Sequence, residues 1–388
     1  MKTLSMSFLL LAGVPFAFAQ TETKMTPAER SIAQAQEAVK QNPKQPDGYN
    51  ALSLALSRRA RETSNPNYYE QAEEAVRKSL EVAPANLGAL KARAWLLLGK
   101  HEFAQARQVA LELNKRMPDD VLVYGFLTDA NVELGSYEEA EKACNWMLKL
   151  RPGNIPGLTR AAFLRELFGD LDGAVEAMTK AYQAMPVAES EDRAWALTQI
   201  AHLKTMTGRT KDASQILEQA LALFPGYHYA LANLAKVRKA ERKYDEAVSL
   251  LRRRYEAAPH AENLYDLAEA LKLAGRKEEA AKAFKEFEAK ALAEAVGADN
   301  ANRELIYYYA DHAFEPVKAL EIAEREYARR RDVYTLAAYA WALHVNGKTA
   351  EARRPLELAL AVGVRDSQVL DHARQIGLKT PAAGEAQP

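Results

Sequence analysis

The stretch that decides the fold is GSYEEAEKACNWMLKLRP, residues 135–152, because its landmarks recur along the chain. Prolines lie at 84, 118, 152 and 186, each 34 residues from the last, and again at 225 and 259. Seventeen residues before three of these prolines there is a glycine, at Gly135, Gly169 and Gly208. Twelve residues before each proline there is an alanine: Ala72, Ala106, Ala140, Ala174, Ala213 and Ala247. A period this regular predicts an array of repeated helical units.

Each landmark has a physical role in a helical hairpin. Glycine adopts the left-handed conformation that ends a first helix, at no steric cost. Proline cannot continue the second helix and moves the preceding residue out of helical geometry. Small residues let two helices approach to about 8–10 Å. Such residues face the recurring alanines from the predicted first helices: Ala92, Thr128, Ala162, Ala201, Ala235 and Ala268.

This pattern resembles the tetratricopeptide repeat family, whose period is 34 residues and whose unit is a helix, a Gly-x-Tyr-x-x-Ala turn, a second helix and a proline. The resemblance covers nearly all of the chain after residue 20. It implies an all-α fold, a right-handed α-solenoid of stacked helix-turn-helix hairpins. We expect about nine pairs, with a flanking helix at each end.

The expected organisation has five parts. Residues 1–19 are a signal peptide, and 20–45 a linker with a flanking helix. Residues 46–295 form the regular array, 296–378 the degenerate pairs and a capping helix, and 379–388 a disordered tail. Two irregularities are interpreted as longer connections: an extended loop over 60–66 and a longer turn over 187–192.

The first residues have the features of a secretory signal. Lys2 precedes an apolar run at residues 8–14, and Ala17 and Ala19 supply a small-x-small cleavage site. We therefore expect cleavage after Ala19 and export to the periplasm or the medium. The apolar run is too short to span a bilayer, so no membrane insertion is expected after cleavage. The alternative is a cytoplasmic regulator whose amino terminus only imitates such a signal.

Charge and cysteine content exclude several classes of function. The chain has 52 basic and 52 acidic residues, without the basic excess that favours nucleic acid or anionic membranes. Its one cysteine, Cys144, allows neither an internal disulfide nor a cysteine zinc site. On the repeat it occupies a packed position of a second helix. We expect it to be a core residue.

No catalytic or metal-binding motif is found. The seven histidines form no His-x-x-x-His pair, and no phosphate-binding glycine loop occurs. The pairs Asp311-His312 and Asp371-His372 are interpreted as solvated, because adjacent helical residues do not face each other. The arginine runs at 252–254 and 329–331 are interpreted as favourable charges at helix C-termini.

We therefore expect no enzyme, no metal and no cofactor. The alternative is an enzyme with an unrecognised site in the irregular stretch 296–332, where Asp311, His312 and Glu315 are close in sequence. Packing of His312 into the core would count against it.

The resemblance implies that first helices line a concave groove that binds a protein or peptide segment. Asn233 alone matches the family's clamp for a peptide carboxylate, so binding of that type is not expected. Aromatic residues in the groove are candidate anchors, or alternatively fill the space between hairpins. The candidate groove residues are Asp129, Phe163, Trp195, His202, Tyr229, Lys236, Tyr265 and Glu269.

Overall fold

The computed structural model describes residues 25–295, 297 and 300–380. Within these residues the chain forms helices and no strand. The helices are α1 (Pro27–Gln41), α2 (Pro46–Thr63), α3 (Asn67–Val82), α4 (Leu87–Gly99), α5 (Phe103–Arg116), α6 (Val121–Glu133), α7 (Tyr137–Leu150), α8 (Ile155–Leu167), α9 (Leu171–Ala184), α10 (Ser190–Met206), α11 (Thr210–Leu223), α12 (His228–Ala240), α13 (Tyr244–Ala257), α14 (Ala261–Leu273), α15 (Lys277–Glu294), α16 (Asn302–Asp311), α17 (Pro316–Arg329), α18 (Val333–Val345), α19 (Thr349–Val362) and α20 (Ser367–Ile376).

Consecutive helices pack as hairpins, from α2 with α3 through to α18 with α19. This gives nine pairs over the described residues, with α1 packed on α2 and α20 on α18 and α19. Most of the helices are too short to be stable alone in water, so the hairpins stabilise one another by stacking. The predicted all-α solenoid is confirmed.

The recurring small residues form the contact between the two helices of each pair. All six of the alanines that precede the prolines by twelve residues are fully buried, and so are their small partners on the first helices, from Ala92 to Ala268. Several first helices also begin with a side-chain cap that repeats with the period. The side chains of Asn86, Asp120 and Asn154 accept hydrogen bonds from backbone N–H groups of the first turn.

The turn between first and second helices requires a left-handed residue even where glycine is absent. Gly135 has a φ of 74° there, and the matching positions in two other repeats are His101 at 58° and Arg242 at 59°. A side chain in this conformation costs about 1–2 kcal/mol. The proline period therefore locates the turn better than glycine does.

Two expected loops are partly helical. The expected loop over 60–66 is too long, because α2 continues to Thr63 and only three residues separate it from α3. The extra residues at 187–192 lengthen α10 as well as its preceding turn, since that helix begins at Ser190. As a result α2 has 18 residues and α10 has 17, whereas most first helices have 13.

These two long helices meet across the inside of the superhelix. Arg61, in the last turn of α2, contacts Glu191 at 2.5 Å and Asp192 at 3.0 Å, in the first turn of α10. The Arg61 carbonyl oxygen lies 3.0 Å from Nε2 of His228, at the start of α12. We call this set the closing contact. It joins residues that are 130 to 167 positions apart, so the array curls back on itself.

A second contact between distant parts lies at the turn from α6 to α7. The backbone N–H of Arg331 donates to the carbonyl of Glu133 at 2.9 Å, and that of Val333 donates to the Tyr137 hydroxyl at 2.9 Å. Further along, the carbonyl of Gly363 lies against Gly169, with no room for a Cβ atom. The C-terminal pairs are thereby held against the middle of the array.

The expected signal peptide, residues 1–19, lies outside the described residues, as do positions 381–388 of the expected tail. Among the helices that the structure describes, none combines the length and the apolar character needed to cross a membrane.

Candidate functional site

The curled array surrounds a cavity with two connected parts. The first, the aromatic lobe, has a volume of about 340 Å³ and is lined by α2, α3, α4, α6, α10 and α12. Its ring-bearing side chains are Tyr69, Trp95, Trp195 and Tyr229, together with His101. Because these helices come from separate hairpins, the lobe exists only in the curled array.

The second part, the acidic lobe, has a volume of about 400 Å³. Its charged lining residues are Asp129, Glu133, Glu262, Glu304, Glu326, Arg303 and Arg330. Leu98, His101 and Asp129 line both lobes, so the lobes adjoin. We call the two together the inner chamber.

The closing contact forms one wall of the aromatic lobe through Arg61, together with Arg58, which also lies near Glu191. Glu191 is 0% exposed, and its Oε1 accepts a hydrogen bond from the Tyr227 hydroxyl at 2.8 Å. Burial alone would raise the pKa of Glu191, but Arg61 and the Tyr227 hydrogen bond outweigh burial and lower it. Burial would likewise lower the pKa of Arg61, yet Glu191, Tyr227 and Asp192 raise it. The contact is therefore between fully charged groups.

Two carboxylates of the acidic lobe, Glu133 and Glu304, are harder to ionise than usual. Burial, with a further contribution from Asp332, raises the pKa of Glu133 to about 7, although Arg330 lies 3.1 Å away. Burial and the charge of Glu262 also raise the pKa of Glu304. Each carboxylate of the lobe is nevertheless paired with an arginine side chain.

Two charged side chains face the chamber directly. Burial would raise the pKa of Glu262, but Arg254 and Arg303 outweigh it and lower this pKa to about 2. Burial would lower the pKa of Arg303, but Glu304 and Glu262 outweigh it and raise this pKa. Each nevertheless keeps 42% of its side-chain surface. Both side chains are surrounded by helices yet partly accessible because they border the cavity, so a molecule inside the cavity can reach them.

Burial also keeps a histidine neutral at the junction of the lobes. Burial, together with the charges of Arg330, Arg329 and Arg303, lowers the pKa of His101 to about 3. Its ring stacks on Phe103 with centroids 5.4 Å apart. The junction therefore presents an uncharged ring beside the Asp129 carboxylate.

Some of the predicted groove residues are brought together. Asp129, Trp195 and Tyr229 line the aromatic lobe. Phe163 and Trp195 line a neighbouring cavity of about 290 Å³ with Glu166. His202 lies beside it, since its Nε2 is 3.0 Å from Oε1 of Glu166.

The other predicted groove residues lie elsewhere. Tyr265 packs its ring against Phe287, with centroids 5.1 Å apart. Glu269 is 2.7 Å from Nε2 of His312. Lys236 is exposed on α12 and does not line the inner chamber.

The interpretation of the two Asp-His pairs as solvated is wrong for both histidines, although Asp371 is exposed. His312 is stacked on Phe284 with centroids 4.3 Å apart, and it does not line the inner chamber. His372 is 6% exposed and stacks on Trp341 with centroids 4.2 Å apart. Both rings contribute to packing between hairpins.

The arginine runs are also more than helix-end charges. Arg254 is buried and pairs with Asp266 and with Glu262, the latter at 3.1 Å. Arg330 pairs with Asp332 at 2.8 Å and lies over the Phe103 ring. These guanidiniums hold the lining of the acidic lobe in place.

Cys144 is buried, as expected, and its Sγ lies 3.7 Å from the carbonyl of Gly157. Burial raises the pKa of its thiol to about 11, so little thiolate forms at neutral pH. Among the described residues, no group of three or more His, Cys, Asp or Glu side chains is placed to hold a metal ion.

Several chamber residues are absent from the candidate groove residues. Trp95 occupies the same repeat position as Asp129 and Phe163, so counting back by 34 would have found it. Arg61, Glu262 and Arg303 lie near helix ends and reach the chamber through the curvature of the array. No periodic feature of the sequence marks them.

Residues 206–262 match the family model described as Tetratricopeptide repeat. The matched segment covers the α11 to α13 region with its two proline positions. The chain therefore contains tetratricopeptide repeats. No curated protein matches it by sequence.

Solved structures share the repeat fold at low identity. A structure of the APC/C hetero-tetramer Cut9-Hcn1 is 14% identical with a TM-score of 0.52, covering 91% of this chain and 60% of that one. The human IFIT1 dimer with PPP-AAAA is 12% identical with a TM-score of 0.51, covering 86% of this chain and 87% of that one. The chain thus spans about 60% of the Cut9-Hcn1 chain that it matches. Both likenesses concern the fold alone.

Proposed function

We propose that this tetratricopeptide-repeat protein is an exported scaffold or assembly factor, periplasmic or secreted, that binds a segment of a partner protein in its inner chamber without catalysis. Tetratricopeptide-repeat proteins bind protein partners, and the fold supports that role here. The observation that carries the proposal is the aromatic lobe, where Trp95, Trp195 and Tyr229 border one cavity. Tryptophan and tyrosine dominate binding hot spots because they bury a large rigid area with one polar group.

The geometry of the lobe suits a side chain or short segment rather than a flat protein surface. Its lining comes from several first helices and includes the polar groups of Ser57, Ser64 and Asp129. An apolar cavity with a few polar groups fixes the orientation of what it holds. A partner segment would insert its anchor side chains between the turns of the superhelix.

Absence of catalysis is supported by the position of His312. In the enzyme alternative this histidine works with an acid in a cleft, whereas its ring is packed on Phe284 and its Nε2 is paired with Glu269. Packing of this kind serves the core between α14, α15 and α16. A tetratricopeptide-repeat scaffold needs no reactive group.

The binding proposal is tested by crosslinking in the native cell followed by mass spectrometry, comparing the wild type with Trp195→Ala/Tyr229→Ala. Truncating two such anchors is expected to weaken binding of the captured partner by about tenfold or more. The matched control is Trp146→Ala, a half-exposed tryptophan on the second helix α7 that does not line the chamber. Equal affinity of the wild type and the double variant would count against the chamber as the binding site.

Export is tested separately, by sequencing the amino terminus of the mature protein. Under the proposal the first residue is Gln20, because Ala17 and Ala19 define the cleavage site. An intact Met1 on protein from the native cell would instead favour the cytoplasmic regulator.

A further inference from the structure

We propose that the aromatic lobe recognises a proline-rich stretch of the partner segment, bound in the polyproline II conformation. This inference rests on the proposed function for the ligand being part of a protein. It goes beyond that function because it states the chemistry of the segment. Three observations carry it: the fixed aromatic rings of the lobe, the pairing of its charges, and two indole N–H groups that have no acceptor.

The rings of the aromatic lobe are held in place by the protein itself. Trp95 meets Phe126 edge to face with centroids 6.3 Å apart, and Tyr229 lies against the buried ring of His228 with centroids 3.9 Å apart. Trp195 is half-buried and packs against apolar clusters of the preceding and the following hairpin. Rings that are already fixed lose little entropy when a ligand binds to their faces.

The charged side chains of this lobe are paired within the protein. Arg58 and Arg61 both lie near Glu191, at 3.6 and 2.5 Å. Asp129 accepts a hydrogen bond from Arg160 at 2.5 Å, and the histidine at the junction stays neutral because burial lowers its pKa. A charged ligand would lose its hydration here without gaining a free partner. Charge complementarity therefore favours an uncharged segment.

Two hydrogen-bond donors of the lobe are not used by the protein. Within the described residues, the indole N–H groups of Trp95 and Trp195 make no hydrogen bond, whereas that of Trp341 donates to Asp311 at 2.8 Å. Neither of the two unused nitrogens is shut away from solvent, so an acceptor can reach both. The lobe thus offers donors to a ligand that brings carbonyl oxygens.

A proline-rich segment matches this combination of rings and donors. Proline has no backbone N–H group, so it brings no donor that the lobe would have to satisfy. In the polyproline II conformation the carbonyl oxygens make no bond within the segment and are free to accept from an indole N–H. Such segments dock in aromatic-lined grooves, where their rings pack on aromatic faces. The lobe, at about 340 Å³, has the size of a ligand pocket.

A glycan is the competing ligand, because sugar rings also stack on tryptophan. Each sugar brings several hydroxyl donors, and two acceptors that border the lobe are already engaged. The carbonyl of Arg61 accepts from Nε2 of His228 at 3.0 Å, and Asp129 is paired with Arg160. A donor left without an acceptor in a cavity is costly, so the lobe favours the ligand that has acceptors and few donors.

The test uses acetylated and amidated decaproline, which has no charge, and the full mature chain in isothermal titration calorimetry. We expect saturable binding that weakens by about tenfold in Trp95→Phe/Trp195→Phe, because phenylalanine keeps an aromatic face but removes both donors. The matched control is Trp146→Phe, the same substitution on α7 outside the chamber, which should bind like the wild type. Circular dichroism melting verifies that each variant is folded. Equal affinity of the double variant and the wild type would overturn the inference.

Proton–nitrogen NMR on the wild type follows the donors themselves. The chain has four tryptophans and therefore four indole N–H signals, which single Trp→Phe variants assign. Saturating decaproline should move the signals of Trp95 and Trp195 downfield as they form hydrogen bonds, and should leave that of Trp341 in place. Unmoved signals of Trp95 and Trp195 would overturn the inference. So would equal binding of a Gly-Ser peptide of the same length, or of chitohexaose, which would indicate a glycan.

Failure of this inference can be told apart from failure of the proposed function. A partner captured in the native cell that needs Trp195 and Tyr229 but is not displaced by saturating decaproline refutes only the proline-rich chemistry. Decaproline that binds the wild type and loses affinity in Trp95→Phe/Trp195→Phe supports that chemistry even where no protein partner is captured.

Discussion

The closing contact provides the most demanding prediction, through the substitution Glu191→Gln. Glu191 is fully buried, and its Oε2 lies 2.5 Å from Arg61 and 3.6 Å from Nε of Arg58. The amide retains the size of the side chain and can still accept from the Tyr227 hydroxyl, but it removes the negative charge. The guanidiniums of Arg58 and Arg61, at the wall of the aromatic lobe, then have less negative charge near them to offset their mutual repulsion.

The expected cost follows from burial. Removing one partner of a buried ion pair costs about 3–5 kcal/mol, because the remaining charge is left without compensation. Asp192 still contacts Arg61 at 3.0 Å and is partly exposed, which reduces the loss. We therefore expect Glu191→Gln to lower the free energy of unfolding by about 2–3 kcal/mol. The control Glu189→Gln removes a partly exposed partner of Arg58 and should cost about 1 kcal/mol or less.

Urea denaturation followed by circular dichroism measures this cost, and small-angle scattering measures opening of the curled array as a larger radius of gyration. The pKa of Glu191 is lowered in the folded protein, so its contribution is present above the unfolded pKa and is lost as the pH falls below that value. The difference between wild type and Glu191→Gln should accordingly shrink below about pH 4.

A double variant isolates the cause. If an unpaired guanidinium is responsible, Arg61→Met/Glu191→Gln should be less destabilised than the sum of the two single variants. The reasoning is refuted if Glu191→Gln unfolds within about 0.5 kcal/mol of the wild type and its radius of gyration is unchanged.

Three further predictions concern the repeat itself. Arg242→Gly should stabilise the protein by about 1 kcal/mol, since Arg242 is exposed and left-handed, whereas Arg242→Ala should give no such gain; thermal denaturation distinguishes them. Ala140→Leu should destabilise the protein by about 1–3 kcal/mol, because this position is 0% exposed between two helices. Urea denaturation should show a lower midpoint, and an unchanged midpoint would mean that the two helices can separate freely. Burial lowers the pKa of His372 to about 4 in the folded protein. As the pH falls below about 6.5, the unfolded chain therefore takes up a proton before the folded protein does, and the free energy of unfolding declines by about 2 kcal/mol by pH 5. His372→Phe should remove that part of the pH dependence, and parallel losses in both proteins between pH 7 and 5 would contradict the assignment.

The sequence predicts the hairpins well because their determinants are local and periodic. The alanines from Ala72 to Ala247 and the turn positions such as Gly135 act within one repeat, where a fixed spacing in sequence is a fixed position in space. The buried role expected for Cys144 follows from the same rule.

The closing contact could not be predicted in this way. Whether Arg61 meets Glu191 depends on the sum of small rotations between successive hairpins, which no single repeat encodes. The spacing of the prolines reveals five extra residues near the start of α10. That spacing indicates an insertion but does not indicate that part of the insertion is helical. Burial of Arg254 and His372 depends on contacts with other helices, since Arg254 pairs with Glu262 of α14 and His372 stacks on Trp341 of α18.

The closing contact also constrains how this chain can change over generations. Repeat arrays commonly gain or lose whole units by duplication and deletion, since an open array only becomes longer or shorter. Here the loss of one hairpin between α2 and α10 would turn Glu191 away from Arg61 and expose a charge that is now buried. We expect an inserted or deleted repeat to be tolerated outside this interval far better than within it.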